Sequence, residues 1–398
     1  MVEVKDLTEV TVEDLWKEVK DEDEWWGEIK SLSMRGVKRL LESAMESELL
    51  EELHAGKYRR TELRRGYRNG YRYRGLLTEM GPLEHIRVPR DRDGTYRTKV
   101  LPRYQRRQKR VNRMVRRMFV LGVSTRRVRD VIEPLLGQGV SAQTVSRICR
   151  TLDAEVQRYQ ARPLLDRYQY LFLDGIVLRV KGAAGVKRRL VLCAYGIRQD
   201  GVRELVAFRQ AKSESQAQWL AFINNLYERG LRGANLTMVT TDGCVGLHNA
   251  LDTVYPYVPR QRCWAHKLRN VASKLPRRIQ EPCLAGAKTI YQASTRTEAV
   301  IRFRQWAEMW RKQAPNAVRC IEVDIDELLP FLDCPTDHWR KVRTTNAIER
   351  AFREVRRRTR PMSCFQNSAS VDRIIFGVIS HLNNNWNDTP LHQFTHNS

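Results

Sequence analysis

The sequence has few of the features that mark a secreted, membrane-bound or disulfide-framed protein. No apolar run approaches the ~18 residues needed to cross a bilayer, so no membrane partner is expected. The N-terminus is acidic and polar, and no signal or transit peptide is expected there. No two of the eight cysteines form a C-x-x-C pair, so they read as reduced cytosolic thiols rather than a disulfide frame. There is no internal repeat and no low-complexity tract. Acidic residues become scarce after the first 55 positions. Residues 1–55 carry 16 acidic and 7 basic side chains, net −9. Residues 56–130 carry 24 basic and 6 acidic ones, net +18.

What is abundant is positive charge. The 398 residues hold 71 Lys and Arg against 46 Asp and Glu, a net charge of +25. An excess this dense, interleaved with Tyr and rich in Arg, predicts a polyanionic partner rather than a merely solvated face. At roughly 100–200 residues per domain, the length suggests about two to four domains.

In chain order, residues 1–56 read as a helical arm. Val12, Leu15, Trp16 and Val19 have helical spacing, and Leu40, Leu41, Leu49, Leu50 and Leu53 mark a second helix ending near Gly56. Residues 57–160 read as a mainly helical DNA-binding region. It opens with Arg and Tyr interleaved, as in Arg64-Arg65-Gly66-Tyr67-Arg68, and the stretch Val88–Gly94 reads as a turn between extended pieces. A helix-turn-helix follows. Val128, Val131 and Ile132 point inward on one helix, Ser141 caps the next, and Gln143, Thr144 and Arg147 face outward near its start. Residues 161–262 read as an α/β unit of three strands, a helix and a fourth strand, with a short fifth at 257–262. Residues 263–340 read as helical, with Trp306 and Trp310 as core. Residues 341–398 add a helix at Thr344–Arg358, whose outer face carries Arg350, Arg353, Arg356, Arg357 and Arg358, and a final packing helix at Ile374–Leu382.

Chemistry concentrates on three acids. Tyr168–Arg179 is a buried-strand pattern broken by Asp174, a carboxylate that is costly to bury unless paired or bound to a metal. Asp242-Gly243 ends the fourth strand, and Glu349 lies on the edge of the Thr344–Arg358 helix. Three hard carboxylates suit Mg²⁺ or Mn²⁺. Two such ions about 3.5–4 Å apart can drive an in-line displacement at phosphorus. The plainer alternative is that each acid is a structural ion pair, Glu349 with Arg353 for example. Cys263 and His266 have the spacing of half a zinc site, with no second half evident, which favours a structural or DNA-positioning role.

These residues carry a resemblance. Leu173-Asp174-Gly175, Gly201 through Glu214-Ser215, Arg229-Gly230-Leu231, Thr241-Asp242-Gly243, Gln261-Arg262-Cys263-Trp264-Ala265-His266, Arg269-Asn270, and Arg343 through Arg350 resemble the bacterial insertion-sequence transposases of the Mutator-like group, within the DDE class. Upstream, Val88–Arg92 and Gly122–Arg126 match as well. The resemblance implies a ribonuclease-H-like core interrupted by an all-helical insertion between the second Asp and the Glu. It implies that Asp174, Asp242 and Glu349 are the catalytic and metal-binding residues, with two Mg²⁺ (or Mn²⁺) ions per active site and no small-molecule cofactor. It further implies binding of terminal inverted repeats, cleavage of transposon ends and transfer of a 3′-hydroxyl into target DNA by a nucleoid-associated cytoplasmic homodimer. Candidate DNA contacts are Arg90, Arg92, Gln143, Thr144, Arg147, Arg343, Asn346, Arg350 and Arg353. A domesticated DNA-binding protein that does not cut, or a structure-selective nuclease on the same core, are the alternative readings.

Overall fold

The computed structural model describes residues 22–56, 59, 61–183, 185–362 and 364–394, so the expected helix around Val12–Val19 lies outside the described residues. The fold is mixed α/β. The chain divides into two compact units, Met1–Phe119 with Ser124–Cys149, and Val120–Val123 with Arg150–Ser398.

The first unit is built on one uninterrupted helix, α1 (Glu22–Leu53), with Leu49 and Leu53 buried and Leu40 left in solvent. An antiparallel hairpin, β1 (Arg68–Thr78) and β2 (Gly81–Asp91), packs on it. Met45, Leu76, Leu83, Ile86, Val88 and Leu101 form their shared core. The hairpin turns at Glu79-Met80, where Gly81 adopts φ +135°. Val88–Asp91, expected in a turn, is therefore strand. The bend comes after it, at Arg92–Gly94, with Gly94 at φ +68°. Carboxylates of α1 hold the basic hairpin. Glu42 accepts from the Arg87 backbone N–H (2.9 Å) and Nε (3.0 Å), and Glu46 pairs with Arg68.

Three helices complete this unit: α2 (Lys109–Val120), α3 (Arg127–Leu136) and α4 (Ala142–Cys149). Ser141 Oγ accepts from the Thr144 N–H at 3.3 Å and caps the helix it precedes, whereas Ser124 Oγ accepts from the Arg127 N–H (3.3 Å) across a turn, the N-cap position of α3 being Arg126. Gly137 ends α3 in the left-handed region, at φ +69°. Val128, Ile132, Val145 and Ile148 are buried as their spacing predicts. Val131, expected inward, is 40% exposed.

The second unit is organised around a five-stranded mixed sheet. After α5 (Asp153–Ala161) come β3 (Tyr168–Gly182), β4 (Gly185–Arg198) and β5 (Arg203–Ala211), then α6 (Gln216–Glu228), β6 (Met238–Thr241), α7 (Val245–Val254) and β7 (Arg260–Arg262). The spatial order is β5-β4-β3-β6-β7. β3–β5 are antiparallel neighbours, while β6 and β7 run parallel to β3. One face buries Leu171, Leu173, Leu192 and Ala194 against Trp219, Phe222 and Leu226 of α6 and Leu247 of α7. On the other, Phe172 meets Tyr195, and Tyr195 meets Trp386 of the last helix. β3 and β4 outrun the sheet. β6 pairs only with Tyr170–Leu173, and β5 only with Leu190–Ile197, so the two strands continue as a ribbon to Gly182 and Gly185.

From β7 to residue 342 the named elements are all helical. They are α8 (Trp264–Ala272), α9 (Arg277–Ile290), α10 (Arg296–Arg311), α11 (Pro315–Glu322), α12 (Ile325–Leu328) and α13 (Trp339–Val342), with short 3₁₀ turns before α13. Trp306 and Trp310 are core here, and Trp306 Nε1 donates to the Cys283 carbonyl (2.9 Å). The segment closes on itself at its base. The Trp264 N–H donates to the Arg343 carbonyl (3.1 Å), and Thr240 Oγ1 of β6 donates to the Val342 carbonyl (2.7 Å). Helices α14 (Asn346–Thr359) and α15 (Ser368–Asn387) follow. Arg358, expected on the outer face of α14, is buried and bonds Glu354 at 2.6 Å. Its backbone lies so close to Gly122 that a Cβ there would fall 2.9 Å from Arg358 Cα.

Candidate active site

The sheet register brings the two aspartates to one level. Leu173 of β3 is paired with Thr241 of β6, so Asp174 and Asp242 are the next residues on adjacent parallel strands. Neighbouring strands lie about 4.8 Å apart. Asp174 shares its side of the strand with Tyr170 and Phe172, since side chains alternate. Helix α14 packs against β3, and Glu349 sits in its first turn, where the positive end of the helix favours an acid.

Glycines follow both aspartates for steric reasons. A Cβ at Gly175 would lie 2.8 Å from Leu190 Cδ1 and 3.0 Å from Glu214 Oε1. Gly243 has φ +92°, and a Cβ there would sit 2.0 Å from Arg262 Nε. Arg262 donates to the Gly243 carbonyl (2.6 Å) and pairs with Asp324 and Glu327, clasping the turn that carries Asp242. Asp242 Oδ1 accepts from the Cys244 N–H (3.0 Å).

The electrostatics tie the acids together. Asp174 is nine-tenths buried, and its carboxyl is pushed up to about 7. Burial is the main cause, and repulsion from Asp242 and Glu349 adds to it. The Gly175 N–H, bonded to Oδ1 at 2.7 Å, and the nearby His266 work the other way. Glu214 is raised as well, by burial and then by Asp242. A fourth carboxylate therefore borders the site. In the sequence, Glu214-Ser215 ends one of the stretches that match the family, but nothing singled out its carboxylate.

Glu349 is held from the helical segment. Arg269 Nη2 lies 3.2 Å and His266 Nε2 3.4 Å from its Oε1. The expected partner one turn on, Arg353, is exposed. Behind His266 stands Thr345, whose Oγ1 is 3.3 Å from His266 Nδ1 and donates at 3.3 Å to Cys263 Sγ. The Thr345 N–H donates to the same sulfur (3.2 Å). Cys263 and Thr345 are wholly buried. Burial pushes the Cys263 thiol up, but hydrogen bonds from His266 and Thr345 outweigh it and hold the group below its ordinary value. The hydrogen bond to Cys263 raises His266. The C-x2-H pair thus belongs to a hydrogen-bonded chain ending on Glu349. Thr345, the middle link, lies within the Arg343–Arg350 match, but nothing in its residue type pointed to this role.

Donor chemistry fits a hard divalent cation: three carboxylates, one of them buried under repulsion that a cation would relieve. Among the described residues, no group of three or more His, Cys, Asp or Glu is gathered tightly enough to chelate an ion as the side chains stand. The candidate DNA contacts divide. Arg90, Arg92, Gln143 and Arg147 are exposed in the first unit, and Thr144 is half-buried beside Ser141. In the second unit Asn346, Arg350 and Arg353 are exposed. Arg343 is half-buried, stacked on Tyr291 and Phe331 with Nη1 on the Tyr291 carbonyl (3.1 Å).

The family model described as "Transposase, Mutator family" matches residues 8–389. The chain is 35% identical over 350 residues to the transposase for insertion sequence element ISRM5 of Rhizobium meliloti (strain 1021), covering 88% of this chain and 87% of that one. It is 35% identical to the transposase for IS406 of Burkholderia multivorans (87% and 89% covered) and 33% identical to that for IS256 in transposon Tn4001 of Staphylococcus aureus (86% and 87%). With the match running through both units and across all three acids, this chain belongs to the Mutator family of transposases.

Proposed function

We propose that the protein is a DDE transposase. It binds the terminal inverted repeats of its insertion sequence, cuts DNA at the element's ends, and joins the freed 3′-hydroxyl to target DNA. The second unit acts as a ribonuclease-H-like core interrupted by the helical segment between β7 and α14. The observation that carries this reading is the register that sets Asp174 level with Asp242, with Glu349 on a helix packed against the same strand, in a strongly basic chain. Asp174, Asp242 and Glu349 would hold divalent metal, which supplies charge neutralisation at the phosphate and activation of the attacking oxygen. The protein's own part is positioning. Adjacent strands level the two aspartates, Arg262 fixes the Asp242 turn, and the Cys263–Thr345–His266 chain with Arg269 orients Glu349. The molecule works as a homodimer, because two ends must be held together.

A strand-transfer assay with labelled end duplex and Mg²⁺ tests this. Wild-type protein should nick and join, whereas Asp174→Asn and Glu349→Gln should bind the end and join nothing. Full joining by either variant overturns the proposal. Cutting without joining, and without preference for the end sequence, would identify a nuclease instead.

A further inference from the structure

The outer part of the β3–β4 ribbon is not used by the mechanism above. From Ile176 to Leu190 it carries Arg179, Lys181, Lys187, Arg188 and Arg189 and no acid. Strand pairing sets Arg179 directly opposite Arg188, with Lys181 opposite Val186 on the same face. Like charges facing each other across an antiparallel pair are destabilising. No acid offsets them, since none of the five forms an ion pair with a described residue. Some exposed arginines elsewhere do find partners, as in Arg129–Glu133 (3.0 Å) and Arg311–Glu322 (2.7 Å). Nor does the ribbon hang free. The Lys181 N–H donates to the Phe365 carbonyl (2.8 Å), the Phe365 N–H to the Arg179 carbonyl (2.9 Å), and Leu178 and Val180 are buried on the other face. Arg179, Val186, Arg188 and Cys364 line a concavity of about 440 Å³. A fixed, unneutralised basic face is thereby held out beyond the sheet.

We propose that this face, centred on the Arg179–Arg188 pair, is a second DNA-backbone site that grips duplex phosphates away from the bond being cut. The pair lies five residues along β3 from Asp174, about 17 Å at the usual strand rise. It also lies on the opposite side of the strand, since side chains alternate. The ribbon therefore holds DNA flanking the scissile phosphate rather than the phosphate itself. Phosphate oxygens bridging the two guanidiniums would relieve their repulsion. The inference rests on DNA being the substrate, as proposed above.

The test uses full-length protein and two duplexes, one bearing the element's end and one unrelated. Affinity is followed by fluorescence anisotropy as salt is raised. Losing two phosphate contacts should lower the slope of log affinity on log salt by about 1.8, because each contact contributes about 0.9. That fall is expected for R179Q/R188Q on both duplexes, because phosphate contacts carry no sequence information. R179K/R188K should keep most of the slope. R188Q without DNA should melt at the wild-type temperature or above it. An unchanged slope in R179Q/R188Q, a fall confined to the end duplex, or a lowered melting temperature in R188Q would overturn the proposal. Wild-type protein that binds both duplexes but joins nothing would instead count against the transposase chemistry, leaving the ribbon's slope to be read on its own.

Discussion

Asp91 and Asp174 each lie in a strand, one in each unit, and each keeps less than a tenth of its surface exposed, though Asp174 sits under far more protein. Their surroundings differ. Asp91 Oδ2 receives the Thr95 N–H (2.8 Å), the Thr95 hydroxyl (2.7 Å) and the Tyr96 N–H (3.1 Å). Burial alone would raise its carboxyl, but these bonds outweigh burial and hold it below the usual range. Asp174 has the Gly175 N–H alone to set against deep burial, with two further acids adding repulsion, and its carboxyl rises to about 7. A carboxylate ringed by donors is held down, whereas one deeply buried with a single donor and other acids nearby is pushed up.

The hardest test of that contrast is to remove the charge from each. Asp174→Asn should cut joining by three orders of magnitude or more, because stabilisation of several kcal/mol is lost in the transition state. Asp91→Asn should leave the joining rate of the folded protein near wild type. If Asp91→Asn were equally inactive at full folding, the distinction would collapse. Stability should move the other way. Asp91→Asn is expected to cost about 1–3 kcal/mol in denaturant unfolding, since it weakens a buried, triply bonded acceptor.

Asp174→Asn should instead stabilise the protein in chelator. A carboxyl whose folded value lies above its unfolded one binds more protons folded than unfolded between about pH 4 and 7, so stability falls as pH rises through that window. In melts at pH 7.5 the variant should exceed wild type by several degrees, and the gap should close as pH approaches 4. A constant gap would mean that the charge on Asp174 is not what strains the site. The smallest effect concerns the chain of residues behind Glu349. Thr345→Val keeps the shape but loses the hydroxyl, and should weaken Mn²⁺ binding by roughly tenfold, as loss of outer partners typically does. The protein should also carry no zinc by elemental analysis. Stoichiometric zinc would restore a metal role for Cys263 and His266.

Much of the second unit could be read from the sequence because its signals are local. An aromatic and β-branched run announces β3, and the 3.6-residue spacing of Trp219, Phe222, Ile223 and Leu226 announces α6. The register that levels Asp174 with Asp242 could not be read, because it joins residues 68 positions apart through parallel pairing. The engagement of Glu349 by Arg269 was hidden for the same reason, and the nearer Arg353 was the natural guess. In the first unit, Arg72 and Arg74 alternate with exposed Tyr71 and Tyr73, so β1 lacks the apolar alternation that identifies a strand. Arg358 misled because a charged residue at a surface period is usually exposed. Here a glycine from another segment lies against its backbone.

The hydrogen bonds at the base of the helical segment have one more consequence. Because Trp264 is tied to Arg343, and Cys263 to Thr345, the two ends of the segment are fastened to each other right beside the last acid. The roughly eighty residues between behave like a bag gathered at its drawstring.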